Sequence, residues 1–188
     1  MGPEALRIDP ELVRGLKRSE YDQLIDLGLF QDERIELLRG VLVKMPPPLA
    51  AHASTVRKLT QLLVARLHGD FIVRIQLPLA LSKDSEPEPD VAVVPLGNYD
   101  AEHPTTALLV IEVSESTLKT DRGKASLYAS AGIGEYWIVN VAARTVEVYS
   151  SPEGDRYAEA RTLRTTDTLR PAELADVSIA VAEILPQV

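Results

Sequence analysis

Residues 105–113 read TTALLVIEV, apolar from Ala107 onward except for Glu112. A strand covered on both faces reads as a nearly continuous apolar run, so Ala107–Val113 is expected to be the central strand of a sheet. After SESTLKTD, the run RGKASLYASAG carries a helical pattern, expected over Asp121–Ala131, that Gly132 is placed to end. EYWIVNV then supplies another strand at Tyr136–Val141. Strand, helix, strand in this order predicts an α/β architecture, a mixed sheet flanked by helices.

Working outward, EPEPDVAVV at residues 86–94 predicts a strand at Val91–Pro95 with a stiff entry, because Pro87 and Pro89 cannot donate to a central ladder. Further strands are expected at Phe71–Leu77, Leu79–Ser82, Thr145–Ser150 and Arg156–Arg164. Val56, Leu59, Leu63 and Leu67 recur at three- and four-residue steps, which predicts a long helix over Ala50–Leu67. Before it, RIELLRGVLVKM (residues 34–45) holds two apolar runs around Arg39-Gly40, a β-hairpin signal, and Pro46–Pro48 break the chain. A short amphipathic helix is expected over Ser19–Phe30, and a turn or short helix in the tail between Ala172 and Pro186. No repeat or linker divides the chain, so residues 1–188 are read as a single domain.

The composition narrows the function. Zero cysteines exclude disulfides and thiolate metal sites, and the N-terminal MGPEALRIDPELVRGLK lacks the order of a signal peptide. No run of 18 apolar residues is present, so a soluble, cytoplasmic chain with no membrane partner is expected. The 20 Lys+Arg against 28 Asp+Glu leave a net charge of −8, which opposes generic coating of a polyanion. It does not oppose a site where acids hold a cation that offsets their charge.

Asp90, at the mouth of its strand, and Glu112, at the end of the central one, lie 22 residues apart. If those strands pair, the two carboxylates converge at one end of the sheet. An ionised carboxylate there costs several kcal/mol to desolvate unless a cation or hydrogen bonds compensate. Two carboxylates, a backbone carbonyl and waters make a hard-oxygen site for Mg²⁺ or Mn²⁺. The competing role for Asp90 is a turn former, and for Glu112 an ion pair with Arg122 or Lys124. Lys124 shares a stripe with Leu127, Tyr128 and Ala131 that should face the sheet; its alternative is to extend its ammonium back to water. His52, after the prolines, has a capping or packing role as its alternative, and Tyr136 and Trp137 read as core aromatics with wet polar tips.

Asp90 after proline, the acid-x-Ser in IEVSEST, then Asp121, Lys124, Tyr128 and GIGEYWIVN resemble the bacterial Uma-two family. The resemblance runs from RIELLRGVLVKMPPP and His52 through Tyr136-Trp137-Ile138-Val139. It implies a restriction-endonuclease-like fold of the PD-(D/E)XK class and a Mg²⁺-dependent (or Mn²⁺-dependent) endonuclease acting on DNA. Asp90 and Glu112 would then be the metal-binding acids, with the carbonyl of Val113 as a third donor. Ser114 occupies the position where the class places its lysine, and Lys124 on the following helix stands in for it. Ser114 would hydrogen-bond a metal-bound water, while Glu36 and His52 are auxiliary candidates. The rival reading is a non-catalytic nucleic-acid- or protein-binding regulator that keeps the nuclease fold; a phosphohydrolase of small phosphoesters is a third. A homodimer with paired clefts is compatible with the duplex-DNA reading.

Overall fold

In the computed structural model, which describes residue 9 and residues 12–187, the chain runs α1 (Arg18–Asp26), β1 (Ile35–Leu38), β2 (Val41–Lys44), α2 (Ala50–Arg66), β3 (Phe71–Ile75), β4 (Val91–Pro95) and β5 (Leu109–Ser114). It continues through α3 (Leu118–Ser130), β6 (Glu135–Asn140), β7 (Thr145–Glu153), β8 (Arg156–Arg164), β9 (Thr168–Leu169), β10 (Ile179–Ala180) and α4 (Val181–Ile184). Most of the N-terminal stretch read for a signal peptide lies outside the described residues.

β5 is buried along its whole length, as its apolar run predicts. It lies third in a six-stranded sheet of order β3-β4-β5-β6-β7-β8. Only β5 and β6 run parallel; every other neighbouring pair in this sheet is antiparallel, so the sheet is mixed. A parallel pair needs a crossover, and α3 provides it. The pleat then sends alternate side chains to opposite faces. Val91, Val93, Leu109 and Ile111 pack with Val56, Leu59 and Leu63 of α2 and with Ile184 of α4. Ala92, Val94 and Val110 pack with Tyr128 of α3 and with Ile133 and Tyr136. Helices on both faces thus bury the central strands twice over.

The hairpin forms as expected. Arg39 and Gly40 both have positive φ, 49° and 79°, the signature of a two-residue type I′ turn. A Cβ added at Gly40 would stand 2.7 Å from Gly15 Cα, so the turn needs glycine for space as well as for its dihedral. Leu37 and Glu86 exchange backbone hydrogen bonds of 3.3 and 2.7 Å, which ties the hairpin to the segment that leads into β4.

Three expectations change. Leu79–Ser82 is extended but not a strand: the N–H groups of Leu79, Ala80 and Ser82 go to the carbonyls of Pro87, Pro104 and Ser85, three separate partners and no ladder. Leu79 is buried all the same, packed in the cluster of Val94, Val110 and Tyr128, with Leu81 against it. Helix α3 starts at Leu118, earlier than Asp121, and the short pair β9–β10 was not expected. The tips of Trp137 and Tyr136 are not wet: the indole N–H donates to Glu135 and the phenol to the carbonyl of Asp121. Among the described residues no helix is long and apolar enough to cross a membrane.

Candidate functional site

The register of β4 on β5 sets Val91 opposite Ile111, so the next pair outward is Asp90 and Glu112. The acids do converge at one end of the sheet. The N–H of Asp90 donates to Glu112 Oε2 (3.3 Å), and the N–H of Val113 donates to Asp90 Oδ2 (2.8 Å). Each carboxylate is thereby positioned by the backbone of the other strand.

Two further side chains fix Asp90. His52, in the first turn of α2, places Nε2 2.9 Å from Asp90 Oδ2. That bond draws the imidazole pKa upward against the opposing effect of burial. Gln76 follows β3 directly and holds Asp90 twice, from its N–H to the Asp90 carbonyl (3.2 Å) and from Nε2 to Oδ1 (3.3 Å). It does so with φ +49°, a conformation uncommon outside glycine.

Lys124 lies between two acids. Its Nζ is 2.8 Å from Glu36 Oε1 and 2.9 Å from Glu112 Oε1, while Tyr128 Oη donates to that same Glu112 oxygen at 3.0 Å. Glu36 also accepts the N–H of Glu88 at 3.2 Å. Lys124, Glu36 and Glu112 are 6, 2 and 4 % exposed, so this is a buried triad of two carboxylates and one ammonium. Burial alone would lower the lysine's pKa, but the two glutamates outweigh it and raise it. Burial pushes the Glu112 carboxyl above the usual range, and Lys124 pulls it back only in part. The ionised form of Glu112 is the one its surroundings fit, since all three of its partners donate to it. Lys124 therefore turns inward rather than towards water. Of the two cations weighed for Glu112, Lys124 is its partner; Arg122 instead pairs with Glu147 across α3 and β7, at 3.0 Å from Nε.

These groups border a cavity of about 140 Å³. Asp90, Glu112, Val113, Lys124, Glu36 and His52 all line it. Ser114 does not: it is buried, and its hydroxyl bonds Asp121, whose carboxyl is raised by burial and lowered in turn by Thr117 (Oγ1 to Oδ2, 2.6 Å). Ser114 shares a face of β5 with Glu112 but lies two residues farther along the strand, where Asp121 of α3 engages its hydroxyl. The cavity adds acids that spacing alone did not single out as site members, namely Glu88, Glu115 and Asp121, and two cations, Arg34 and Lys44. Gln76 was also missed, and a polar residue after a strand carries no sequence signal of its role.

The donors suit a hard cation. Among the described residues no three His, Cys, Asp or Glu side chains form a metal-holding group. Mg²⁺, however, retains several waters and is commonly held by only one or two carboxylates, a set that Asp90 and Glu112, with the Val113 carbonyl, would supply. The carboxylates of this cavity also outnumber its cations, so an added positive charge is electrostatically favoured.

Comparison with known proteins agrees with this architecture. A family model described as "Uma2: Putative restriction endonuclease" matches residues 18–182. A crystal structure described as "a putative nuclease belonging to DUF820", from Anabaena variabilis, superimposes with a TM-score of 0.68 at 15 % identity, covering 90 % of this chain and 97 % of the other. At that identity the likeness is one of fold. No curated protein matches.

Proposed function

This chain belongs to the Uma2 family, and we propose that its cleft hydrolyses phosphodiester bonds in DNA with the help of Mg²⁺ or Mn²⁺. The observation that carries the reading is the pairing of Asp90 with Glu112 at one end of the sheet, with Lys124 bound to the second acid. Asp90, Glu112 and the carbonyl of Val113 would hold the ion. When bound, it supplies Lewis-acid polarisation of the phosphate and an acidified water.

The chain's own groups prepare that chemistry. His52, Gln76 and the Val113 N–H fix the orientation of Asp90. Tyr128 and Lys124 donate to Glu112 and so favour its ionised form against the effect of burial. Lys124 also offsets acid charge that would repel an incoming phosphate, a preorganised electrostatic role that costs no rearrangement during reaction.

The rival, a binding protein that keeps the nuclease fold without turnover, is favoured by one observation: both oxygens of Glu112 already accept hydrogen bonds from protein donors. Calorimetric titration with Mn²⁺, with Asp90→Asn beside the wild type, followed by nicking of supercoiled DNA, separates the two. The nuclease reading expects metal binding and nicking that Asp90→Asn removes without unfolding the protein. Equal metal affinity in both proteins and intact DNA would decide for the rival.

A further inference from the structure

Building on the nuclease reading, we propose that the substrate strand is unpaired, and that its bases lie on an apolar track formed by two hollows that meet at Pro48 and His52. The first hollow is the cavity that contains the acids. Besides its carboxylates it is walled by Val43, Met45, Pro46, Pro47 and Leu49, the segment from the end of β2 to the residue before α2. The second, of about 350 Å³, lies between α2 and the end of β3 and is lined by Ala53, Val56, Thr60, Ile75 and Gln76. Pro48 and His52 border both. Leu49 is 62 % exposed and Ile75 40 %, so apolar surface continues from each hollow to the outside.

A phosphodiester placed at Asp90 and Glu112 has a nucleotide on either side of it. In a duplex those bases are stacked and paired, so their faces are closed to a protein, and much of the affinity comes from cations on the phosphates. The cleft is poor in free cations. Of the cations lining the two hollows, Arg34 is engaged by Glu88 at 3.5 Å, Lys44 by Glu33 at 3.0 Å and Lys124 by Glu36 and Glu112, which leaves Arg57, bonded to the neutral Gln61, to meet a phosphate; the chain carries a net charge of −8. The acids are recessed as well, with the Asp90 side chain only 13 % exposed. An unpaired strand meets these conditions better. Its bases can turn into the hollows, and covering their faces with the apolar side chains there provides affinity that needs fewer phosphate contacts, about 25 cal/mol per Å² of apolar surface buried. In the second hollow Thr60, Gln61 and Gln76 offer hydrogen-bonding groups to a base edge.

The test uses one oligonucleotide sequence as single-stranded DNA, as duplex DNA and as single-stranded RNA. Binding is read by fluorescence anisotropy in Ca²⁺ and cleavage in Mn²⁺. The single strand should bind and be cut at least about tenfold better than the duplex, a difference that burying roughly 60 Å² of apolar surface provides. The DNA and RNA arms identify the sugar. Leu49→Ser and Ile75→Ser, which remove apolar surface without adding charge, should each weaken single-strand binding about tenfold while leaving Mn²⁺ affinity unchanged. Equal or better binding and cleavage of the duplex would overturn the unpaired-strand proposal and leave the nuclease reading standing. Failure to bind or cut any of the three would overturn both.

Discussion

Gln76 keeps a left-handed backbone, φ +49°, that costs a non-glycine residue about 1–3 kcal/mol, and both of its hydrogen bonds to Asp90 depend on that conformation. Gln76→Ala should retain the strain and lose the side-chain bond, lowering Mn²⁺ affinity by about tenfold, as removal of a group that orients a ligand does elsewhere. Gln76→Gly should melt higher than Gln76→Ala by about 1 kcal/mol yet bind metal no better, which calorimetry and thermal unfolding together would show. Lys124 makes the opposite case, where stability is the main readout. Lys124→Met leaves Glu36 and Glu112 facing each other without a cation and should cost about 3–5 kcal/mol in urea unfolding at pH 8. The loss should shrink as the pH falls and the carboxylates take up protons, and adding Glu36→Gln to Lys124→Met should recover much of it.

At the scale of elements, the β1–β2 hairpin carries Glu36 into the cleft, so its turn bears on the site. Gly40→Ala must hold alanine at φ +79° against the backbone of Gly15, and should lower stability by more than about 1 kcal/mol in thermal unfolding. Asn at Gly40 would tolerate the dihedral but meet the same obstruction. This hairpin was legible in the sequence because Arg39-Gly40 interrupts two apolar runs at the spacing a two-residue turn requires. Asp90, Glu112 and Lys124 were legible for a related reason: an acid that ends an apolar strand and a lysine on an apolar helical stripe both break the local pattern. Gln76 breaks no pattern, and its importance comes from a backbone dihedral that no residue type announces. Leu79–Ser82 misled because a run of apolar residues signals burial, and burial of an irregular segment in the core looks the same as burial of a strand. β9 and β10, at two residues each, are too short for any period.

Across the whole molecule the surplus of acid makes stability depend on pH, and Glu86 shows how. It is 6 % exposed, with Arg18 Nε 3.9 Å away, and burial followed by the nearby Asp22 carboxylate pushes its carboxyl up to about 7 from 4.5. A folded pKa above the unfolded one means that the folded protein binds the proton more tightly. The contribution of Glu86 is therefore full at and below about pH 4.5, declines as the pH rises towards 7, and stays lost above it. Glu86→Gln should then be about 1–3 kcal/mol more stable than the wild type at pH 8 and close to it at pH 4, measured by thermal unfolding at both. A shift in the opposite sense would mean that Arg18 governs the ionisation of Glu86 more than burial does.

The partners of Lys124 are far from it along the chain: Glu36 is 88 residues away, while Glu112 is 12. Closing so long a loop is entropically slow, so the triad exists only after the hairpin and α3 have both docked on the sheet. The cleft should consequently be among the last features to form during refolding. Interactions absent from the transition state act on the rate of escape from the native state rather than on the rate of reaching it. Stopped-flow chevrons with and without Mn²⁺ should accordingly share one folding limb, while the unfolding limb with metal runs slower.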